Sequence, residues 1–349
     1  MTTVRIDDYP HQLAGHCGSG SLRDLLAWAG LGWDGPPSEG LVFGLGGGLS
    51  FMYLRVAGPT PPVYLVGRNA EMETDLCQRL GIDVEERRTD DPDLAWRWVT
   101  DELDDGRPVM IHADIAELPY LRVRLSNTRH DLVVIGYDDD RGIAWVVDND
   151  RDDVQEVPLE ALARARSSSG FPDPARHTTF PMRFPNTLPD LHAAARDAAA
   201  ASASTLREGA GDLFDPVGLP PTAVVGSGLD GVETFAEDIA RWPDLFSDEE
   251  LDQALGAVSV FTEKAGTGGG MFRRLQAGFC ADVARHTGDD RFAAAADAYR
   301  RCADGWSSLA RSCRDHPDDH VAITELAGEL PALERAAVTA LEHAAGEPR

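Results

Sequence analysis

Lysine is almost missing from this chain of 349 residues: Lys264 is the only one, and arginine supplies the rest of the 32 basic residues. Set against 59 acidic residues, they leave a formal net charge of -27. So acidic a chain is a poor partner for a polyanion, which argues against bare nucleic acid or an anionic membrane. It suits a cationic small molecule such as a polyamine or aminosugar, and equally an acidic surface that serves solubility alone. Cysteine is scarce too, at five, an odd number with no C-x-x-C pair. Neither a disulfide framework nor a structural zinc site is expected. Cys302, Cys313, His316 and His320 lie near one another, but their spacing matches no common finger. No apolar run approaches the ~20 residues of a membrane-spanning helix. The opening MTTVRIDDYPHQ has no apolar signal-peptide core. The expectation is a soluble cytoplasmic protein without a metal.

What is present is a sizeable apolar fraction, 43%, enough for real cores, in a length that suits two domains. The character of the chain changes near residue 186. Residues 1–185 mix short β-rich runs, glycines and helical stretches. Residues 186–349 are alanine-rich and mainly helical in pattern. In the first part, Leu22, Leu25, Leu26 and Ala29 recur at helical spacing and predict a helix from Ser19, entered from Gly15-His16-Cys17-Gly18. Helices are also predicted over Glu71–Leu80, Asp93–Leu103 and Leu159–Arg166. Strands are predicted at Pro108–His112, Asp131–Tyr137 and Ile143–Val147, the last two joined by the turn DDDRG. The second part predicts helices over His192–Ser204, Gly231–Arg241, Asp248–Thr262, Met271–His286, Asp290–Cys313 and Val321–Ala345.

The chemistry-bearing residues are spread along the first part. Cys17 stands at a helix start, where the helix dipole and orphan N–H groups favour a thiolate and can stabilise a developing oxyanion. His130 begins one strand, and Asp148 ends its hairpin partner, so the two strand ends can lie side by side. Cysteine on a helix N-terminus, histidine on one strand and an acid on the next is the layout of papain-like cysteine enzymes. Taken singly, each residue has an ordinary reading: a small buried cysteine, a structural histidine, a turn aspartate.

The segments HCGSGSLRDLLAWAG, SEGLVFGLGGGLSFMY, GRPVMIHADIAELPY, RHDLVVIGYDDD and VVDND, in that order, resemble the N-terminal domain of the butirosin-biosynthesis H protein family. The second half, with GTGGGMFRRLQAGF, resembles the helical domain that follows it. The resemblance implies an α+β fold, with a papain-like cysteine-enzyme domain followed by a helical C-terminal domain. It also implies an acyltransferase that moves an aminoacyl group from a carrier-protein thioester to an aminoglycoside amine. Cys17 then matches the nucleophile, His130 the base and Asp148 the acid that orients it. An acyl carrier protein becomes the partner, its phosphopantetheine the carrier of the donor thioester, and a small-molecule amine the acceptor. No bound cofactor is implied. Papain-like enzymes place an oxyanion-hole glutamine about six residues before the cysteine. Here that position is His11, with Gln12 five before, so the backbone N–H of Cys17 is the safer donor.

Glu39, Asp114 and Tyr120 lie in the family-like segments and, with Gln12, are the candidate substrate-binding residues. Each also has a structural or surface reading. Gly44-Leu45-Gly46-Gly47-Gly48 lacks the Lys-Ser/Thr of a nucleotide P-loop and reads as a tight turn or close backbone approach beside the active site. Gly266–Gly270 before Arg273 and Arg274 reads as an interhelical turn, or as a helix N-terminus facing a phosphate. Arg122, Arg124 and Arg129 would form a basic rim for a carrier protein. The helical half is expected to cover the cleft or to mediate homodimerisation. Two alternatives stand beside the acyltransferase: a cysteine peptidase or amidohydrolase using the same triad with water, and a non-catalytic binding protein that retains the fold.

Overall fold

The computed structural model describes residues 3–123, 125–209, 220 and 222–346, so Arg124 lies outside the described residues. The chain runs through β1 (Thr3–Arg5), α1 (Cys17–Trp28), α2 (Glu39–Leu45), β2 (Leu49–Arg55), β3 (Val63–Arg68), α3 (Met72–Leu80), β4 (Asp83–Val84) and α4 (Pro92–Asp104). It continues through β5 (Val109–Ala113), β6 (His130–Asp138), β7 (Ile143–Val147), β8 (Gln155–Pro158), α5 (Leu159–Ser167), β9 (Thr179–Phe180) and β10 (Met182–Arg183). The remainder is α6 (Leu191–Glu208), β11 (Val224–Ser227), α7 (Gly228–Ile239), α8 (Trp242–Leu245), α9 (Asp248–Glu263), α10 (Arg273–Thr287), α11 (Asp290–Asp315) and α12 (His320–Ala345). The mixture of helices and antiparallel strands is α+β.

Two compact units emerge, and their division differs from the one expected at 185/186. Residues 1–37 and 80–188 form the first; residues 38–79 and 189–349 form the second. The inserted stretch belongs with the helical half for a physical reason. Strand β2 pairs with β11 as well as β3, and α2 packs on α10. A Cβ on Gly44 would lie 2.0 Å from the Phe279 side chain, so the glycines there permit close helix packing in the second unit. They belong to the second unit, whereas Cys17 belongs to the first.

In the first unit an antiparallel sheet runs β8-β7-β6-β5-β9, with β1 paired to the far end of β6. Every residue of β6 is buried, which requires cover on both faces. Val109 and Ile111 of β5 share one face with Leu132 and Val134 of β6, and pack with Leu103 of α4 and Leu162 of α5. Residues alternate across a strand, so His112 and Asp131 point the other way; α1 packs against β6. The β6–β7 register slips between Val134 and Gly136. A side chain at Gly136 would stand 2.5 Å from the Val4 carbonyl, so glycine is what lets β1 close on the sheet.

The second unit packs its helices around the β11-β2-β3 sheet and a ring cluster in which Trp306 stacks on Phe235 and tilts against Phe51. Arg273 is buried beside Phe51 and Trp306. Its Nε donates to Glu334 Oε1 at 2.7 Å, and Trp306 Nε1 donates to the same oxygen at 2.7 Å. Neither charged side chain is exposed. Removing one member of such a pair strands the other, at a cost of about 3–5 kcal/mol. A Glu334→Leu variant is expected to lose stability on that scale in denaturant unfolding, while Leu at an exposed helix position such as Glu329 leaves the midpoint nearly unchanged.

Candidate active site

Helix α1 begins at Cys17 because His16 caps it. His16 is extended, with φ -140° and ψ 136°, and its Nδ1 accepts the Ser19 N–H at 3.2 Å. That bond satisfies one of the donors a helix start leaves over, and the Cys17 N–H stands at the same end. Ala14 N donates to the Asn149 carbonyl at 3.0 Å, and Asn149 Nδ2 donates to the Ala14 carbonyl at 3.1 Å. These two bonds fasten the segment before Cys17 to the residue after Asp148. Gly20 makes the approach possible: a Cβ there would stand 2.5 Å from that of Ala14.

The β6–β7 hairpin supplies the other two groups. Its register pairs Val133 with Val147, so the start of β6 and the residue after β7 come together. His130 Nε2 lies 2.8 Å from Asp148 Oδ2. The Tyr120 hydroxyl donates to the same oxygen at 2.7 Å, and Asp150 N donates to Oδ1 at 3.2 Å. Burial alone would raise the Asp148 carboxyl. The His130 charge and these hydrogen bonds outweigh it and bring the group down to about 2. His130 is the converse: burial lowers it, but Asp148 and then Cys17 hold it well above the ordinary imidazole value. Cys17 is among the groups that raise it, so the same imidazole stands beside the thiol. With Nε2 committed to Asp148, the nitrogen left for the sulfur is Nδ1. Burial and the Asp148 charge push the Tyr120 hydroxyl well above its usual range, so it remains a donor.

The structure therefore brings Cys17, His130 and Asp148 together, with the Tyr120 hydroxyl bound to the acid. Asp114 is elsewhere employed: Ser126 Oγ and Ser168 Oγ donate to one of its oxygens, Ala116 N and Asn127 N to the other. It is buried and organises the turn at 114–117. Glu39 opens α2 in the second unit, where its charge complements the helix N-terminus. Gln12 is exposed, with its backbone N–H near Asp24 and its carbonyl accepting from Arg23 Nη2. Arg129 is paired with Asp173 at 2.7 Å, and Arg122 is exposed. Arg273 and Arg274 bind Glu334 and Ser307, so the glycine turn before them is an interhelical turn.

Four residues beyond the expected set shape the site: His11, His16, His112 and Asp131. Asp131 accepts from Cys17 Sγ at 3.7 Å, and His112 approaches Asp131. His11 fills the place expected for an oxyanion glutamine, but it serves as a clamp. Its Nδ1 lies 2.9 Å from Asp24 Oδ2 and its Nε2 2.6 Å from the Arg151 carbonyl. Arg151 N donates in turn to the Asp148 carbonyl. Two acceptors on one ring call for an imidazolium. The sequence signal for His11 was its offset from Cys17. The pairing of His112 with Asp131 had no signal short of strand register.

Two family models match the chain in succession. One is described as Butirosin biosynthesis protein H, N-terminal, over residues 16–149, and the other as a domain of unknown function (DUF4872) over residues 160–341. The chain belongs to this family, with its N-terminal domain followed by the helical one. The first match opens on His16 and closes on Asn149, the residues that flank Cys17 and Asp148. No curated protein matches the chain. Among the described residues, no helix is long and apolar enough to cross a membrane.

The clamp has a pH signature. Burial lowers the His11 imidazole, but the bonds to Asp24 and Arg151 outweigh it and leave the group raised. Its contribution to stability is complete below the unfolded value of about 6.5 and is lost as pH rises through the folded value. Thermal midpoints of the wild type and of His11→Gln should differ most near about pH 6 and converge as pH rises. A gap that widens with pH contradicts the clamp.

Proposed function

We propose that the protein is a cysteine-dependent acyltransferase of natural-product biosynthesis, with a papain-like catalytic unit. In this reading an acyl or aminoacyl group passes from a carrier-protein thioester to Cys17 and then to a small-molecule amine. The observation that carries it is the chain of contacts from Asp148 through the His130 ring to Cys17 at the first residue of a helix. Membership of a family named for butirosin biosynthesis supports the natural-product setting.

The steps follow from those residues. Asp148 accepts from Nε2, which leaves Nδ1 to take and hold the sulfur's proton. The Cys17 proton passes to Nδ1, and the thiolate attacks the donor carbonyl. A carbon–sulfur bond to Cys17 forms, the donor carbon–sulfur bond breaks, and His130 returns the proton to the departing thiol. One thioester replaces another, so this step is nearly balanced. The acceptor amine then attacks, His130 takes its proton, and Cys17 leaves and is reprotonated. An amide is much more stable than a thioester, which drives the second half. The Cys17 N–H at the start of α1 is the oxyanion donor. Cys17 and His130 are each only 8% exposed, which favours amine transfer over attack by bulk water. The donor arm is the phosphopantetheine of an acyl carrier protein. The chemistry calls on a thiol, an imidazole and a carboxylate, all supplied by the chain.

The direct test incubates the protein with a panel of acyl thioesters and records intact mass, then adds candidate amines. One acyl adduct on Cys17 and amide on amine addition are expected. Cys17→Ala should carry no adduct and lose at least about 10³-fold in rate. Full turnover by that variant, or an adduct cleared equally fast by water without amine, would contradict the reading.

A further inference from the structure

Two buried polar residues beside the triad have no part in the steps above. His112 and Asp131 are cross-strand partners in the β5–β6 register, one place along from the Ala113–His130 pair. Asp131 is fully buried. His112 is nearly so, with the Phe180 ring edge-on against it at 5.0 Å. His112 Nε2 lies 3.2 Å from Asp131 Oδ1, a close approach rather than an aligned hydrogen bond. The second carboxylate oxygen accepts from Cys17 Sγ.

Cys17 therefore faces two histidine–carboxylate pairs in opposite order. In the His130–Asp148 pair the histidine is nearer the sulfur. In the His112–Asp131 pair the carboxylate is nearer. The consequences have opposite sign. An imidazole beside the sulfur takes its proton and stabilises the anion. A carboxylate beside it accepts an S–H bond and repels a thiolate. The titratable groups that meet the sulfur are His130 and Asp131 from β6; behind them stand Asp148 after β7 and His112 from β5, and His16 caps the helix that Cys17 begins. Moving the proton from Sγ to His130 places an anionic sulfur against the Asp131 carboxylate, with His112 as the compensating group behind it.

We propose that Asp131, backed by His112, is a positioning residue that holds the Cys17 sulfur through its S–H and opposes the transfer of that proton to His130. The inference rests on Cys17 being the reactive sulfur. It deepens that reading by giving the nucleophile a built-in restraint.

The test is the pH profile of Cys17 alkylation by iodoacetamide, read by mass on the Cys17 peptide, which requires no acyl substrate. Asp131→Asn keeps the shape and removes the charge. Its midpoint should fall, so that below the wild-type midpoint Cys17 reacts about tenfold faster, the equivalent of one pH unit. His112→Gln removes the compensation and should move the midpoint up, slowing alkylation several-fold at the same pH. A merely structural role would move neither midpoint. An Asp131→Asn midpoint that is unchanged or raised overturns the proposal. If that variant does not fold, as judged by circular dichroism, His112→Gln decides, and an unchanged or lowered midpoint overturns it. The two readings fail differently. A wild-type Cys17 that stays inert at every pH removes the nucleophile itself, whereas a normal profile indifferent to residue 131 removes only the restraint.

Discussion

The imidazole of His130 is the point on which the first unit turns. One nitrogen is tied at 2.8 Å to a carboxylate that is itself held by Tyr120 and by the Asp150 N–H. The ring also stands close enough to Cys17 to be raised by it. A ring tied to a buried carboxylate cannot rotate freely, and that bond leaves the other nitrogen for the sulfur. The surrounding fold serves this arrangement. The antiparallel hairpin brings His130 to Asp148, and the paired bonds between Ala14 and Asn149 bring the start of α1 to the same place. Gly20 and Gly136 remove the side chains that would hold the pieces apart.

Supporting polar groups hold one another in place. His11 bridges Asp24 and the Arg151 carbonyl, and Arg151 reaches both the Asp148 and Tyr120 carbonyls. Asp114 gathers four donors. A site that must hold three side chains to within about 0.5 Å needs such backing, because each partner locks the rotamer of the next. In the proposed chemistry this rigidity keeps Nδ1 aimed at the sulfur through two successive acyl transfers. The nearly closed surroundings of Cys17 keep water at a disadvantage.

Periodic patterns carried the reading of the fold a long way. The helix read over Asp290–Cys313 is α11, Asp290–Asp315, and the strand read over Asp131–Tyr137 is β6, His130–Asp138. What periodicity could not show was partnership across long separations. Strand β2 takes β11 as a neighbour, some 170 residues away, and Arg273 reaches the Ser50 carbonyl, so residues 38–79 leave the half of the chain in which they are written. The same holds within the site. Cysteine at a helix start, histidine at a strand start and aspartate after its partner strand were legible as residue types in order. Asp131 was not, because alternation sends it to the face opposite its neighbours Leu132 and Val134, and only the approach of α1 gives it the sulfur as a partner. Tyr120 was legible as a residue of the motif, but proximity in a motif did not reveal that its hydroxyl is bound to Asp148.

The central claim is that one sulfur, primed by one imidazole, forms a covalent acyl intermediate. Rapid mixing of the protein with excess acyl thioester, in the absence of amine, tests it most directly by following release of the donor thiol. The account predicts a burst of one equivalent of thiol per protein chain followed by a slow phase, with the burst slowed at least about 10³-fold in His130→Gln and absent in Cys17→Ala. Thiol release without a burst, or a burst of unchanged rate and size in either variant, would contradict it.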